Sequence, residues 1–381
     1  MEYRKRAMEG LVMDRAFWQG RRVLVTGHTG FKGAWLAFWL AELGAKVFAV
    51  ALPPDSDPDL CSLLELPKLI TSRLFDINDR EALAEFVSAS RPEIVLHLAA
   101  QALVRHSYRQ PIETFATNVL GVVTLLDVIR QAPSVVSVVI VTSDKCYEND
   151  ELTTTFNETD RLGGRDPYSA SKGCAEIATR SMQRSFFRPY RTDGHPARIA
   201  TVRAGNVIGG GDWAEDRLVP DVIRGCLGRD EAVRLRNPNA VRPWQHVLEP
   251  LRGYLTIAKR LVTAPDGVDE AWNLGPDADD ARTVRDVAEA VIAALGVGRI
   301  VVDEDSTAPH EAGLLRLDCS KAKARLGLEP LLHFDDAIGL TAAWYSAWKR
   351  GLDVKTITRQ QIAAYTNRAM ASLERQKVRI G

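Results

Sequence analysis

From Arg21 onward, short apolar runs rich in Val, Leu and Ile alternate with amphipathic helical stretches: "RRVLVTG", "GAWLAFWLAELG", "AKVFAVAL", then "EIVLHLAA", "TLLDVIRQA" and "SVVSVVIVTSD". A strand that is apolar on both faces has to be covered on both faces, and helices between such strands supply the cover. The alternation therefore predicts a parallel sheet sandwiched by helices. It holds to about Gly205. Beyond that point Gly-, Pro- and Asn-rich loops such as "GNVIGGGDWAEDRLVP" and "RNPNAVRPW" interrupt shorter elements. This reads as a smaller lobe closing over a ligand cleft, interleaved with the last strands of the main sheet. The expected division is an extension over 1–16, a main domain over 17–205, a lobe mainly over 206–353 and a mixed-charge helical tail over 354–381. The first twelve residues are expected outside the fold, because Met13 opens "MDRAFWQGRRVLVTG".

Lys+Arg and Asp+Glu balance at 49 each among 381 residues, so no net basic field exists to hold nucleic acid or an anionic membrane. Small molecules or further copies of the chain are the expected partners. No apolar run approaches the length of a membrane span, and "MEYRKRAMEGLV" has no apolar segment after its charges, so no membrane is expected. The five cysteines are scattered, with no C-x-x-C pair or Cys/His cluster at metal-ligand spacing; a reducing cytoplasm and no metal follow.

"VTGHTGFKGAW" places Gly27, Gly30 and Gly33 between the first strand and the first helix. One such glycine makes the tight turn, one admits a diphosphate close to the backbone, and one lets helix and strand touch, with the diphosphate on the helix N-terminus. The spacing is G-x-x-G-x-x-G, and in this context it predicts a dinucleotide cofactor on a Rossmann-type, doubly wound parallel α/β sheet. Phe31 and Lys32 lie inside the turn, and Lys32 can favour a phosphate. An acid at the end of the second strand, which would hold a ribose 2′-hydroxyl, is missing: Ala51 and Leu52 stand there, and the choice between NAD and NADP stays open on these residues. Asp76 and Ile77 in "LFDIND" end a third strand and can hold an adenine edge, or Asp76 can cap the next helix.

"DPYSASKGCAE" gives Tyr168 and Lys172, four residues apart on a helix opened by Pro167, and therefore on one face. A tyrosine acts as a base near neutrality only if its pKa falls by about three units from ~10, which requires roughly 4 kcal/mol of differential stabilisation from nearby positive charge. An adjacent lysine and a cationic nicotinamide ring together supply that. Thr142 ends the intervening strand and starts "TSDKCYEN", where Asp144 and Lys145 stand side by side.

The set "TGHTGFKG", "TSDKCYEN", "DPYSASK", "RAGNVIGGGDW" and "RPWQHVLEPLRGYL" resembles the extended short-chain dehydrogenase/reductase superfamily, and within it the CDP-D-glucose 4,6-dehydratase branch, from about Phe17 to Tyr365. The resemblance implies NAD as cofactor, CDP-glucose as substrate and a smaller C-terminal substrate-binding lobe. It also implies a reaction: oxidation at C4 acidifies the C5 hydrogen, the C6 hydroxyl leaves, and the hydride returns to C6. Related dehydratases carry an Asp–Glu pair as general acid and base where Asp144 and Lys145 stand. Asp144 accordingly fits the acid and Lys145 the C5 base. A lysine serves as a base only where burial or neighbouring cations bring its pKa down from near ~10.4. Tyr168, activated by Lys172, is the expected C4 base, with Thr142 hydrogen-bonding the C4 oxygen.

The same resemblance assigns Asn118 to ordering the backbone near Lys172, and Ala99, Ala100 and Gln101 to the wall beside the nicotinamide ribose. Asn206 and Arg242 match diphosphate contacts, a guanidinium suiting paired phosphate oxygens, and Arg316 matches more loosely. A nucleotide-sugar epimerase on the same scaffold is the rival reading, but such epimerases match small residues where Asp144 and Lys145 stand. A non-catalytic nucleotide sensor is another, and such proteins typically lose the Tyr or Lys. Relatives pair two long helices per subunit, here near Thr114–Arg130 and Ala170–Arg184, so a homodimer or homotetramer is expected.

Overall fold

Alternate residues of a strand face opposite sides of a sheet, and the first strand, β1 (Arg22–Thr26), shows the consequence directly. Its Val23 and Val25 join one buried cluster and Leu24 the other. The computed structural model describes residues 14–149, 155–187, 194–235, 237–264, 267–302 and 315–380. The first twelve residues lie outside these; Asp14 caps a short helix whose Phe17 and Trp18 are buried.

Among the described residues the main sheet has seven strands, all parallel, in the order β7-β6-β5-β4-β1-β2-β3. Here β2 is Lys46–Ala51, β3 Thr71–Leu74, β4 Ile94–His97, β5 Ser137–Val141, β6 Arg198–Ala204 and β7 Ala271–Leu274. Strand order reverses between β1 and β4, and a ligand crevice is expected beyond the carboxyl ends of strands at that point. The last strand, β7, comes from the part of the chain beyond residue 205.

Helices α1 (Phe31–Glu42) and α5 (Leu248–Thr263) cover one face, and α2 (Arg80–Ser90), α3 (Pro111–Ile129) and α4 (Pro167–Phe186) the other. Local chemistry starts them. Asp79, not Asp76, caps α2 by accepting from the Ala82 N–H at 3.0 Å. Asp166 caps α4 by accepting from Ser169, with Pro167 in the first turn where its missing N–H costs nothing. Contrary to expectation, among the described residues one helix is long and apolar enough, by length and composition, to cross a membrane: α3. Its Val122, Leu125, Leu126 and Ile129 are buried in the cluster under the sheet, so it serves as a covering helix.

The last two helices pack on α1 and on the loop after β6. In α6 (Phe334–Lys349), Tyr345 donates to Asp212 O at 2.6 Å and Trp344 donates to Thr358 Oγ1 at 2.9 Å. Thr358 belongs to α7 (Val354–Ile380), whose Tyr365 meets Trp39 of α1 edge-on at 5.9 Å and whose Arg359 pairs with Glu42. These two helices therefore brace, from behind, the glycine-rich loop after β6. Trp35 of α1 adds a bond to Gly210 O at 2.9 Å. A side chain at Gly210 would lie 2.0 Å from the Trp344 ring, which is why glycine stands there.

Candidate active site

The turn after β1 is built by exclusion. Gly27 has φ +80°, and a Cβ there would sit 2.7 Å from Ala99 N; at Gly33 a Cβ would sit 2.0 Å from Gly27 O. At Gly30 a Cβ would meet only Gly27 O, at 3.6 Å, so the backbone is open on the cleft side. Gly30 also caps α1 without a side chain, leaving the first-turn N–H groups for an anion. These residues, with Phe31, Lys32, Asp76, Ile77, Ala99, Ala100 and Gln101, line a cavity of about 480 Å³ that also takes in Tyr168 and Lys172. An open backbone, uncapped donors and a cavity of this size fit a dinucleotide.

Second contacts hold the wall. The Thr26 hydroxyl accepts from the Leu98 and Ala99 N–H groups, both at 3.1 Å. Asn118 sits in a π-helical turn over Ala116–Leu120, accepts from Gln101 N at 2.9 Å, and donates to Gln101 O and Ser171 Oγ. It thus ties the wall to α4 from behind rather than lining the cavity. Gly121 makes room for Ile77, whose Cγ2 would lie 2.8 Å from a Cβ there. No acid stands at the end of β2, but Asp55, four residues past Ala51, lines the cavity.

A second cavity, of about 540 Å³, opens on the other side of Tyr168 and is lined by Ser143, Asp144, Lys145, Asn206 and Arg242. Phe31, Lys32, Tyr168 and Arg217 line both, so the two form one cleft with the tyrosine at the junction. Arg316 lines neither; it sits in a two-residue strand paired with Thr155–Phe156.

At the junction the charges are crowded. Burial pulls the Lys172 amine down to about 7, with Lys32 nearby adding to the shift. Lys32 itself is held down to about 8 by burial and by Arg217, against the pull of Asp144 and Asp212. Arg217 is held at 3.0 Å by Asp212, whose loop is braced by Tyr345. A cleft that confines Lys32, Lys172 and Arg217 is one that an anionic ligand discharges favourably. Burial pushes Tyr168 up to about 12, a hydrogen bond with Ser143 opposing it. Asp144 is buried, and its pKa is raised by that burial although Lys145, Ser143 and Arg242 pull it the other way. It is therefore suited to carrying a proton.

One expectation is corrected. The Thr142 hydroxyl does not face the tyrosine: it donates to Glu176 at 2.5 Å and also lies 3.4 Å from Val202 O. The hydroxyl beside Tyr168 is that of Ser143, which donates to Asp144 Oδ1 at 2.9 Å. Thr142 continues β5 through its N–H bond to Val202 O; it still lines the cofactor cavity beside Tyr168 and Lys172, but its hydroxyl turns to Glu176 on α4, while Ser143 lines the second cavity. Arg217, Asp212 and Ser143 are the residues that sequence reasoning missed.

Gly205 carries a further constraint, because a Cβ there would lie 2.7 Å from Asp144 Oδ2. Gly205→Ala is expected to swing that carboxyl away and, if the carboxyl takes part in turnover, to lower the rate by about 10- to 100-fold, the penalty of an ångström-scale misplacement. Steady-state kinetics of the variant, with its melting temperature as control, would check this.

The model of the GDP-mannose 4,6 dehydratase family matches residues 24–341. CDP-glucose 4,6-dehydratase of Salmonella typhimurium is 46% identical over 354 residues, covering 93% of this chain and 98% of that protein. Among solved structures, UDP-glucose 4-epimerase of Thermotoga maritima with UDP-glucose superposes with a TM-score of 0.73 at 23% identity, over 86% of this chain and 99% of that one. dTDP-glucose 4,6-dehydratase of Bacillus anthracis in complex with NAD gives 0.71 at 21%, over 88% and 100%. The two structural neighbours establish the fold, which epimerases and dehydratases share. The family match over most of the chain, and a relative nearly half identical from end to end, carry the assignment further: the chain belongs to the GDP-mannose 4,6 dehydratase family.

Proposed function

We propose that this chain is an NAD-dependent CDP-glucose 4,6-dehydratase, a hydro-lyase converting CDP-glucose to CDP-4-keto-6-deoxy-D-glucose and water. The observation that carries the reading is a buried carboxyl with a raised pKa, Asp144, adjoining an amine, Lys145, in the same cleft as Tyr168 and Lys172. An epimerase has no use for an acid and a base at that point. The nucleotide is named from the 46% identical relative.

NAD, when bound, supplies the reversible hydride acceptor between C4 and C6 of the sugar. Tyr168 takes the proton of the C4 hydroxyl, with Lys172 holding positive charge close by and Ser143 hydrogen-bonding the same oxygen. The 4-ketone acidifies C5–H, and Lys145 removes that proton. Asp144 gives its proton to the C6 hydroxyl, which leaves as water. Returning the hydride to C6 and a proton to C5 completes the balance. Arg242 and Asn206 hold the substrate diphosphate, and Arg217 bridges toward the cofactor. Asp55 is our candidate acceptor for a ribose hydroxyl. Five free cysteines, four of them buried, support a reducing cytoplasm as the site of the reaction.

We also propose that the protein pairs through α3 and α4. On these helices Ile112, Leu120 and Ile177 are 86%, 58% and 57% exposed, an apolar set that a second copy would cover. Sedimentation equilibrium is expected to give at least two chains, and Ile112→Glu with Ile177→Glu to reduce that number; a wild-type monomer would refute the pairing.

The test of function is mass spectrometry of the protein incubated with NAD and, in parallel, CDP-glucose, UDP-glucose and dTDP-glucose. Loss of one water from the CDP sugar, without net NADH, is the expected outcome. If none of the three loses water while NAD binds, the dehydratase reading fails.

A further inference from the structure

Both ends of the segment that carries Ser143, Asp144 and Lys145 are tied to one buried ion pair. Glu176 lies on α4 one turn beyond Lys172, so Tyr168, Lys172 and Glu176 share a helix face. Its Oε1 accepts from Thr142 Oγ1 at 2.5 Å and from Arg203 Nε at 3.0 Å; its Oε2 accepts from Thr201 Oγ1 at 2.7 Å and from Arg203 Nη2 at 2.9 Å. Arg203 Nη1 in turn donates to the Tyr147 hydroxyl at 2.7 Å, and that hydroxyl donates to Asn273 Oδ1 at 2.7 Å. Thr142 precedes the segment and Tyr147 follows it, with four residues between them.

We propose that the Glu176–Arg203 pair is the positioning device of this active site, clamping residues 143–146 at both ends to the helix that carries Tyr168 and Lys172. Thr142 and Tyr147 are positioning residues that act through the clamp. The inference rests on the dehydratase reading above.

Three observations exclude direct chemistry by the pair. Both carboxylate oxygens of Glu176 are occupied twice over, so it has no free lone pair for a substrate proton. Both side chains are 4% exposed. Neither lines the cleft. A buried ion pair is weak evidence for stability, because burying charge costs about what the pairing returns. What it provides is geometry: a bidentate fork that fixes the distance between β6 and α4, with β5 joined through Thr142.

The two halves of the reaction then depend on the clamp unequally. C4 oxidation uses Tyr168 and Lys172, which α4 carries rigidly. Elimination uses Asp144 and Lys145, which stand on the clamped segment. Loosening the clamp should impair elimination and spare oxidation.

Thr142→Val keeps the shape and removes the donor; Thr142→Ser keeps the donor. Thr142→Val is expected to slow elimination by about 100-fold, the scale of an ångström of misplacement, with C4 oxidation held within about threefold. Reduced cofactor and 4-keto hexose should accumulate on the enzyme. Thr142→Ser should restore elimination, and Tyr147→Phe should reproduce the Thr142→Val pattern from the other end. Independently of turnover, hydrogen–deuterium exchange of the 143–147 amides should accelerate in Thr142→Val and Tyr147→Phe but not in Thr142→Ser, with α4 unchanged. Equal loss of both half-reactions, no loss in Thr142→Val, failure of serine to rescue, or unchanged exchange would each overturn the clamp. Absence of dehydration in the wild type with faster exchange in the variants would refute the function and leave the clamp standing.

Discussion

Tyr168→Phe is expected to lower C4 oxidation by about 10²- to 10⁴-fold, the contribution of a general base. The ring stays buried at the junction of the two cavities, and the only change is loss of one hydroxyl whose side-chain partner is Ser143. The melting temperature should therefore move little while the rate collapses. The pH dependence gives the sign. Burial holds Tyr168 up to about 12, so the phenolate fraction, and with it the oxidation rate, rises with pH until the phenol titrates. Lys172, which burial holds down to about 7, gains charge as anionic ligands enter and brings that limb lower. Lys172→Met should then push the limb to higher pH, and Tyr168→Phe should erase it. Stopped-flow appearance of reduced nicotinamide across pH would read both effects. A Tyr168→Phe variant with wild-type oxidation would remove the tyrosine from the mechanism.

Lys145→Ala separates the two halves of the reaction. Elimination is expected to fall by about 10²- to 10⁴-fold while C4 oxidation persists, again the range for one lost general base. Lys145 is half-buried and lines the substrate cavity, so truncation opens no void in the core, and Asp144 keeps its hydrogen bond from Ser143 at 2.9 Å. Its removal also acts on Asp144 in a known direction. The Lys145 cation pulls the Asp144 pKa down against burial, so without it Asp144 should hold its proton to higher pH. The acid is thereby preserved and the base alone is lost. Bound reduced cofactor should accumulate during turnover, visible by absorbance, and little deoxysugar should form. Full dehydration by Lys145→Ala would assign the base elsewhere.

Features with local causes were legible in the sequence. The glycines at 27, 30 and 33 stand where side chains would collide or fill the cleft, and the four-residue spacing of Tyr168 and Lys172 needs only a helix to bring both into it. Features decided by long-range packing were not. Two adjacent hydroxyls, Thr142 and Ser143, look alike in the chain; strand parity sends the first to Glu176 and the second to the tyrosine. Arg217 enters the cleft because Asp212 holds it, and Asp212 is fixed from behind by Tyr345, 133 residues further on. Arg316, matched by a loose likeness, is drawn away by its pairing with Thr155. The helix over Pro111–Ile129 carries Glu113 and Asp127 near its ends, and these charges masked its membrane-like length. The mixed-charge final helix read as a tail, yet it buries Tyr365 against Trp39.

A cleft that removes a hydride from C4 and returns it to C6 of the same sugar leaves a mark on the product. CDP-glucose carrying deuterium at C4, converted in ordinary water and examined by NMR and mass spectrometry, tests this most directly. The expected product has lost water and retains the deuterium, now on C6, with solvent hydrogen at C5. Deuterium lost to solvent, or retained at C4 of a sugar that has kept its oxygen, would contradict it.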